Sequence, residues 1–385
     1  MRIKIDDQAL VRNWQIAERT SKGPKSMAVL SSIYVKAYND VITLMATDLK
    51  TSIKCSIHEA NIEEEGECVF PTKGVGEIIK KLSTGYLIET TDRKVIIKDD
   101  RNQFTFTTYP TDEFPKLPTS ASATLACHIE ARELSRIISE GSFTGSSTEE
   151  FPPYLSSALL EFKEDSIKLI ATDGKRLSLS EAILSETDHE RTESLLIPIR
   201  GINELDRILS TLSEDTVVEI LYDDSQCYFR TEDIELAIRR VESVFPPYEK
   251  IILSDKTTWM IVDRQQLIDA LEKVEIVVRD FNKVVILNLK PAGNLLISAC
   301  AQNVGEAFVH VDADIDGEPL KVGFNVSYLL QGLKAIGDPT VRMSFNGTHG
   351  QMRLQKLGDD KFLYILMPVI LPEEMVKEEG ETDEI

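Results

Sequence analysis

Five histidines are the first places to look for chemistry: His58, His128, His189, His310 and His349. None pairs with another at the four-residue spacing that aims two imidazoles from one helix face at a metal. The five cysteines, Cys55, Cys68, Cys127, Cys227 and Cys300, are odd in number and form no CxxC pair. They read as buried, reduced thiols, not as a disulfide frame or a zinc site. No GxxxxGK[ST] phosphate loop occurs. Gly74-Val75-Gly76 lacks the third glycine of a dinucleotide turn and reads as a helix start that tolerates glycine. Gly141-Ser142-Phe143-Thr144-Gly145 has no central serine, so it makes no nucleophile elbow. Asp312-Ala313-Asp314-Ile315-Asp316-Gly317 copies the first half of a calcium loop. The chelating glutamate is missing, because the twelfth position is Gly323, and the ninth is Leu320. The flanks read as strands, so the expectation is a polar turn between them. Serines and carboxylates are plentiful, but no spacing points at a catalytic site.

The elements behind these residues show a repeat. Three segments start a helix after an acidic residue: Ile5-Asp6-Asp7 leading to Leu10, Ile129-Glu130 leading to Leu134, and Val262-Asp263 leading to Leu267. The acid suits the positive end of the helix dipole. Apolar residues then follow at helical spacing: Leu10, Trp14, Ala17; Leu134, Ile137, Ile138; Leu267, Ile268, Leu271, Val274. A second helix recurs at a constant step. Pro71 to Pro198 is 127 residues, and Pro198 to Asn325 is 127 again. At that step Val75, Ile202 and Leu329 coincide, as do Leu82, Leu209 and Ile336, which gives the buried face.

Lys80, Arg207 and Lys334 coincide at the same step. A solvated helix face is one reading of them; a face turned to a common anionic object is the other. Further bases lie on or beside the same helices: Arg12, Arg19, Lys22, Lys25, Lys73, Lys81, Arg132, Arg136, Arg200, Arg264 and Lys273. Bases without interleaved aromatics suit duplex phosphates better than stacked single-stranded bases. The intervening segments, such as VITLMATD, SIKLIATD and TVVEILY, are short, β-branched and often alternating. The fold class is therefore α+β: three similar domains, each with two helices packed on antiparallel sheets. Their expected bounds are 1–121, 122–253 and 254–371, followed by an acidic tail over 372–385.

Composition bounds the rest. The 385 residues are 42% hydrophobic and 28% charged, enough to build cores in two or three domains. The net charge of −21 excludes a generally basic nucleic-acid surface and leaves room for a local basic stripe. The opening MRIKIDDQALVRNW has no apolar signal-peptide core, and no run approaches the ~18 apolar residues of a membrane span. The expectation is a cytoplasmic chain with no membrane role.

Several motifs then fall in register with the repeat. Ala171-Thr172-Asp173-Gly174-Lys175-Arg176-Leu177, with Ala46-Thr47-Asp48-Leu49-Lys50 one copy earlier, resembles the signature of the bacterial DNA sliding clamp, the β subunit of the DNA polymerase III holoenzyme. Phe114-Pro115-Lys116-Leu117-Pro118 and Phe245-Pro246-Pro247-Tyr248 resemble its domain-ending motifs. Gly323 to Leu330 resembles the opening of its last helix, and Tyr364 to Val369 its C-terminal strand.

The resemblance implies the DNA clamp fold and a head-to-tail homodimer. Its six domains form a ring that encircles and slides on duplex DNA without sequence specificity. It implies a processivity factor that is not an enzyme and needs no cofactor. Its partners would be the replicative polymerase, the clamp loader and other proteins carrying a clamp motif. The bases named above would line the hole. A peptide pocket would be walled by Leu155, Thr172, Gly174, Lys175, Arg176, Leu177, Pro246, Ile251, Ile365, Leu366, Met367, Pro368 and Val369. Phe106 and Tyr109 would meet Ile276 and Val277 across the subunit interface. Two departures stand out: Lys175 replaces a frequent histidine, and Ile370 a usual base. From the residues alone, an enzyme on a repeated scaffold and a protein-binding scaffold that encircles nothing remain alternatives.

Overall fold

The computed structural model describes residues 1–23, 26–82, 84–163, 165–184, 193–252, 256–291 and 293–371. The order strand, helix, strand block, helix, strands is run through three times. The first copy is β1 (Arg2–Ile5), α1 (Ala9–Thr20), β2 (Ser32–Tyr38), β3 (Val41–Thr47), β4 (Thr51–Ile57), β5 (Asn61–Glu64), β6 (Gly66–Pro71), α2 (Thr72–Leu82), β7 (Tyr86–Thr91), β8 (Lys94–Lys98) and β9 (Gln103–Thr107). The second is β10 (Thr124–Glu130), α3 (Ala131–Gly141), β11 (Ser157–Lys163), β12 (Ser166–Thr172), β13 (Arg176–Ile183), β14 (Glu193–Pro198), α4 (Ile199–Leu209), β15 (Val217–Tyr222), β16 (Gln226–Arg230) and β17 (Ile234–Arg239). The third is β18 (Thr258–Asp263), α5 (Arg264–Val278), β19 (Val284–Lys290), β20 (Asn294–Ala301), β21 (Gly305–Gly317), β22 (Leu320–Asn325), α6 (Val326–Lys334), β23 (Thr340–Phe345), β24 (Met352–Lys356) and β25 (Asp359–Leu366).

Each helix forms for a local reason. The apolar residues expected on the first helix of each copy are all buried, from Leu10, Trp14 and Ala17 to Leu271 and Val274. Asp263 caps α5 by accepting the Gln266 N–H at 2.8 Å, and Asn325 caps α6 by accepting the Tyr328 N–H. Val75, Ile202 and Leu329 are buried at the repeat step, as are Leu209 and Ile336, while Leu82 is half-buried.

Packing divides the chain into two compact units. One comprises Met1–Glu133 and the described part of Leu184–Arg240; the other comprises Leu134–Ile183 and the described residues from Val241 onward. In the first, β5-β1-β7-β8-β9 form one sheet and β10-β15-β16-β17-β4-β3-β2-β6 another. Here β17 of the second copy pairs antiparallel with β4 of the first, Ile234 opposite Cys55 and Ile238 opposite Thr51. Helix α1 lies on β3 and β4 and beside α2. In the second unit β11, β12 and β13 continue through β25 into β24, β23 and β18. Arg176 lies opposite Leu366 and Ser180 opposite Phe362. Helix α5 lies on β20 and β21 and beside α6. The middle copy is split because each of its strand blocks extends the sheet of a different neighbour. The expected boundary at 253/254 and the tail 372–385 lie outside the described residues.

Three expectations are corrected. Gly74 is not helical: its φ is 86°, and a Cβ there would lie 2.7 Å from the Phe106 ring. Asp312, Asp314 and Asp316 lie in β21 instead of a turn. Strand alternation puts all three on one exposed face, extended, where they cannot wrap an ion. Cys300 is exposed, whereas the other four thiols are buried. Burial pushes Cys55 and Cys127 up to about 12, so they stay protonated and inert.

A charged cluster is buried where α3 ends. The Glu140 carboxylate accepts from Arg136 Nη1 at 2.8 Å, from Ser180 Oγ at 2.7 Å and from Lys356 Nζ at 2.7 Å. Glu140 and Lys356 are both buried, so removing one partner strands the other. Lys356→Met is expected to cost about 3–5 kcal/mol in urea unfolding. A loss below ~1 kcal/mol would show that Arg136 and Ser180 satisfy Glu140 without the lysine.

Candidate functional sites: a basic helix face and an apolar pocket

The repeated bases sit near the C-terminal ends of the second helices, where positive charge is favoured. Lys80 on α2 is ion-paired with Glu18 on α1. Lys334 on α6 is ion-paired with Glu272 on α5 at 2.7 Å. Each pair therefore ties the two helices of one copy together. Arg207 on α4 instead pairs within its own helix, with Glu204 at 3.2 Å, and Glu204 also receives Arg19 from α1 at 2.8 Å. These bases remain solvent-accessible. Exposed pairs of this kind are worth about 0–1 kcal/mol, so a phosphate can take the base from its carboxylate.

The remaining expected bases separate into two groups. Arg12, Lys22, Lys73, Lys81, Arg200 and Lys273 are exposed. Arg132 is exposed and paired with Glu130 at 3.1 Å. Arg136 and Arg264 are corrections, because both turn into the protein. Arg136 reaches Glu140, Ser180 Oγ and the Glu181 carbonyl. Arg264 donates to the carbonyls of Asp338 at 2.7 Å and Leu333 at 3.3 Å, closing the end of α6. Lys25 lies outside the described residues.

The pocket residues are assembled within the second unit by the turn between β12 and β13. Thr172 Oγ1 donates to the Arg176 carbonyl at 2.7 Å and accepts the Gly174 N–H at 3.1 Å. Asp173 Oδ1 accepts the N–H groups of Lys175 and Arg176. Gly174 takes a φ of 82°, which a side chain would resist. Arg176 is fixed on three sides: Asp173 Oδ2 at 2.9 Å, Gln331 Oε1 at 2.6 Å, and the Tyr328 ring 4.0 Å from its guanidinium carbon. It therefore shapes the wall instead of carrying a free charge.

Leu177 lies opposite Ile365. These two, with Ile170, Leu179, Tyr248 and Leu363, form a buried cluster on which Phe245 and Ile252 pack. Leu366 is buried as well. Leu155, Pro246, Pro368 and Val369 are half-buried, while Lys175, Ile251 and Met367 are exposed. The Met367 N–H donates to the Lys175 carbonyl at 3.0 Å, which holds the end of the C-terminal strand against the turn. Two further large apolar residues, Phe151 and Ile370, are exposed at 90% and 81%.

The expected interface residues divide differently. Tyr109 packs with Leu30, Val69 and Phe114, and Val277 packs against the core of its own unit. Both are half-buried. Phe106 half-covers Gly74, and Ile276 is exposed. Strand β9 ends its sheet. In β21, residues 305–311 bond to β20 on one side, and exposed Phe308 stands among them.

Three family models match in order. The N-terminal domain of the DNA polymerase III beta subunit matches residues 1–118, the central domain 128–247, and the C-terminal domain 249–370. The chain belongs to the DNA polymerase III beta subunit family. It is 27% identical to the beta sliding clamp of Pseudomonas putida over 373 residues, covering 96% of this chain and 100% of that one. It is 26% identical to the beta sliding clamp of Bacillus subtilis over 380 residues, covering 96% and 99%. The crystal structure of the Pseudomonas aeruginosa sliding clamp matches with a TM-score of 0.89 at 27% identity, covering 96% and 100%. The same clamp bound to griselimycin matches equally, at 0.89 and 27%.

Tyr248 ties the Phe245-Pro246-Pro247-Tyr248 segment to the sheet. Its hydroxyl donates to Glu161 Oε2 at 2.9 Å; burial, reinforced by that carboxylate, raises the phenol well above its usual range. Tyr248→Phe is expected to destabilise the protein by about 1–3 kcal/mol in urea unfolding, because Glu161 loses a donor while still buried. An unchanged midpoint would show that the segment is held by apolar contact alone.

Proposed function

We propose that the chain is a DNA polymerase processivity clamp. Two copies close head to tail into a ring of six domains that encircles duplex DNA and slides along it. Each chain contributes domains over 1–121, 122–253 and 254–371, and a charged tail. The observation that carries this reading is the threefold helix pair with a base at one repeated place, Lys80, Arg207 and Lys334, in a chain of net charge −21. Phosphate contacts carry no sequence information, so such a face holds DNA without choosing a site.

Retention comes from encirclement, and the contacts can stay weak. Arg12, Lys22, Lys73, Lys81, Arg200 and Lys273 add to the face. The acidic remainder discourages duplex from binding elsewhere. The edge strand β9 and the 305–311 segment of β21 are the surfaces proposed to meet between subunits, with Phe106 and Phe308 beside them. The pocket at β13 and β25 takes an extended peptide whose large apolar side chains lie on Met367, Ile251 and Pro246. Polymerase, clamp loader and repair proteins are the proposed partners, and the cytoplasm is the proposed location. Catalysis belongs to the partners, and the chain needs no cofactor.

Lys80→Glu, Arg207→Glu and Lys334→Glu combined are expected to abolish retention on circular DNA while peptide binding persists. Retention that survives would sink the assignment of these helices to the hole. Light scattering is expected to give twice the 43.3 kDa of one chain. A monomer at micromolar concentration would overturn the ring.

A further inference from the structure

Each repeated base meets a carboxylate, but not in the same way. Lys80 is held by Glu18 and Lys334 by Glu272. In both pairs a lysine on the second helix joins a glutamate on the first, 62 residues earlier in the chain. The same count back from Arg207 reaches Gly145, which carries no charge. Arg207 turns instead to Glu204 on its own helix, and that carboxylate is shared. Glu204 Oε2 accepts from Arg207 Nη1 at 3.2 Å, and Oε1 accepts from Arg19 Nε at 2.8 Å. The first and third copies therefore set one base against one acid, and the middle copy sets two bases against one.

Exposure sharpens the difference. The Glu18 and Glu272 side chains are 31% and 48% exposed, so an approaching phosphate faces the carboxylate as well as the lysine. The Glu204 side chain is only 11% exposed, whereas that of Arg207 is 61% exposed. Asp206, the next acid on α4, is half-buried. A phosphate about 3 Å from a lysine stands about 5–6 Å from the carboxylate bonded to it, and at those distances repulsion cancels more than half of the attraction. At Arg207 the second guanidinium offsets much of the shared acid, so more of the attraction survives.

We propose that Glu18 and Glu272 are positioning residues that weaken the hold of the first and third copies on DNA, leaving Arg207 the strongest of the three repeated phosphate contacts. The inference rests on the reading of these helices as the DNA-facing surface; the pairing geometry stands without it. A simple tie between helices is the competing account of the two pairs. It predicts lower stability when the acid is removed and no gain in DNA binding.

The test titrates a fluorescein-labelled duplex of about 30 base pairs, open at both ends so that a ring can thread onto it, with the full-length protein, followed by anisotropy over a range of salt. Glu18→Gln with Glu272→Gln keeps an oxygen to accept from each lysine but removes the charge. This variant is expected to bind at least about fivefold more tightly at low salt, with the slope of log Kd against log salt steeper by at least about one. Glu63→Gln with Glu64→Gln removes the same charge from exposed positions on β5 and is expected to stay within about twofold of the parent. Arg207→Ala is expected to weaken binding at least about threefold more than Lys80→Ala or Lys334→Ala. The proposal is overturned if the Glu18 and Glu272 variant binds no more tightly than the β5 control, whatever its urea midpoint. It is equally overturned if Lys80→Ala or Lys334→Ala costs as much as Arg207→Ala. Lys80→Glu, Arg207→Glu and Lys334→Glu combined separates the two readings. If that variant still binds like the parent, the DNA-facing assignment fails and takes this inference with it. If it loses DNA while the glutamine variant gains nothing, this inference fails alone.

Discussion

Backbone pairing between successive copies is the constraint on which everything else here depends. A strand block with one open edge must be paired, covered or charged. The middle copy solves this twice: β17 bonds to β4, and β13 bonds to β25. Each junction therefore brings together a Thr-Asp turn, a Phe-Pro segment and the last strand of a neighbouring copy. Those are the parts of an apolar site. One sheet solution thus brings the same parts together twice.

Electrostatics is arranged around the same frame. The chain is strongly acidic, yet its second helices end on bases that are exposed and paired. Where a charge is buried, as at Glu140 and Lys356, several partners surround it, and it serves the core. Two bases that look alike in sequence, Arg136 and Arg207, therefore do different work. Arg136 satisfies a buried carboxylate and a carbonyl, and Arg207 stays on the surface.

The helix pairs were legible because apolar spacing and a constant 127-residue step fix both the helices and their buried faces. The pocket turn was legible through its motif. What could not be read was which way a long side chain points. Arg136 and Arg264 sit on helices at positions compatible with either direction, and only their distant partners, Glu181 and Asp338, decide it. The three aspartates of β21 were read as a turn because they are polar, but acids can alternate on the exposed face of a strand, and the strand runs through them to Gly317.

The paired state of the repeated bases has a mechanical consequence. A lysine already held by a neighbouring carboxylate gives up one partner as it gains another. The net change on meeting a phosphate is a small difference between two similar attractions. In the proposed ring, Lys80 and Lys334 would begin each encounter bound to Glu18 and Glu272. Around a duplex, the energy would then vary little from one phosphate to the next. The surface would be shallowly corrugated, and a ring closed as proposed would drift along the helix with low friction.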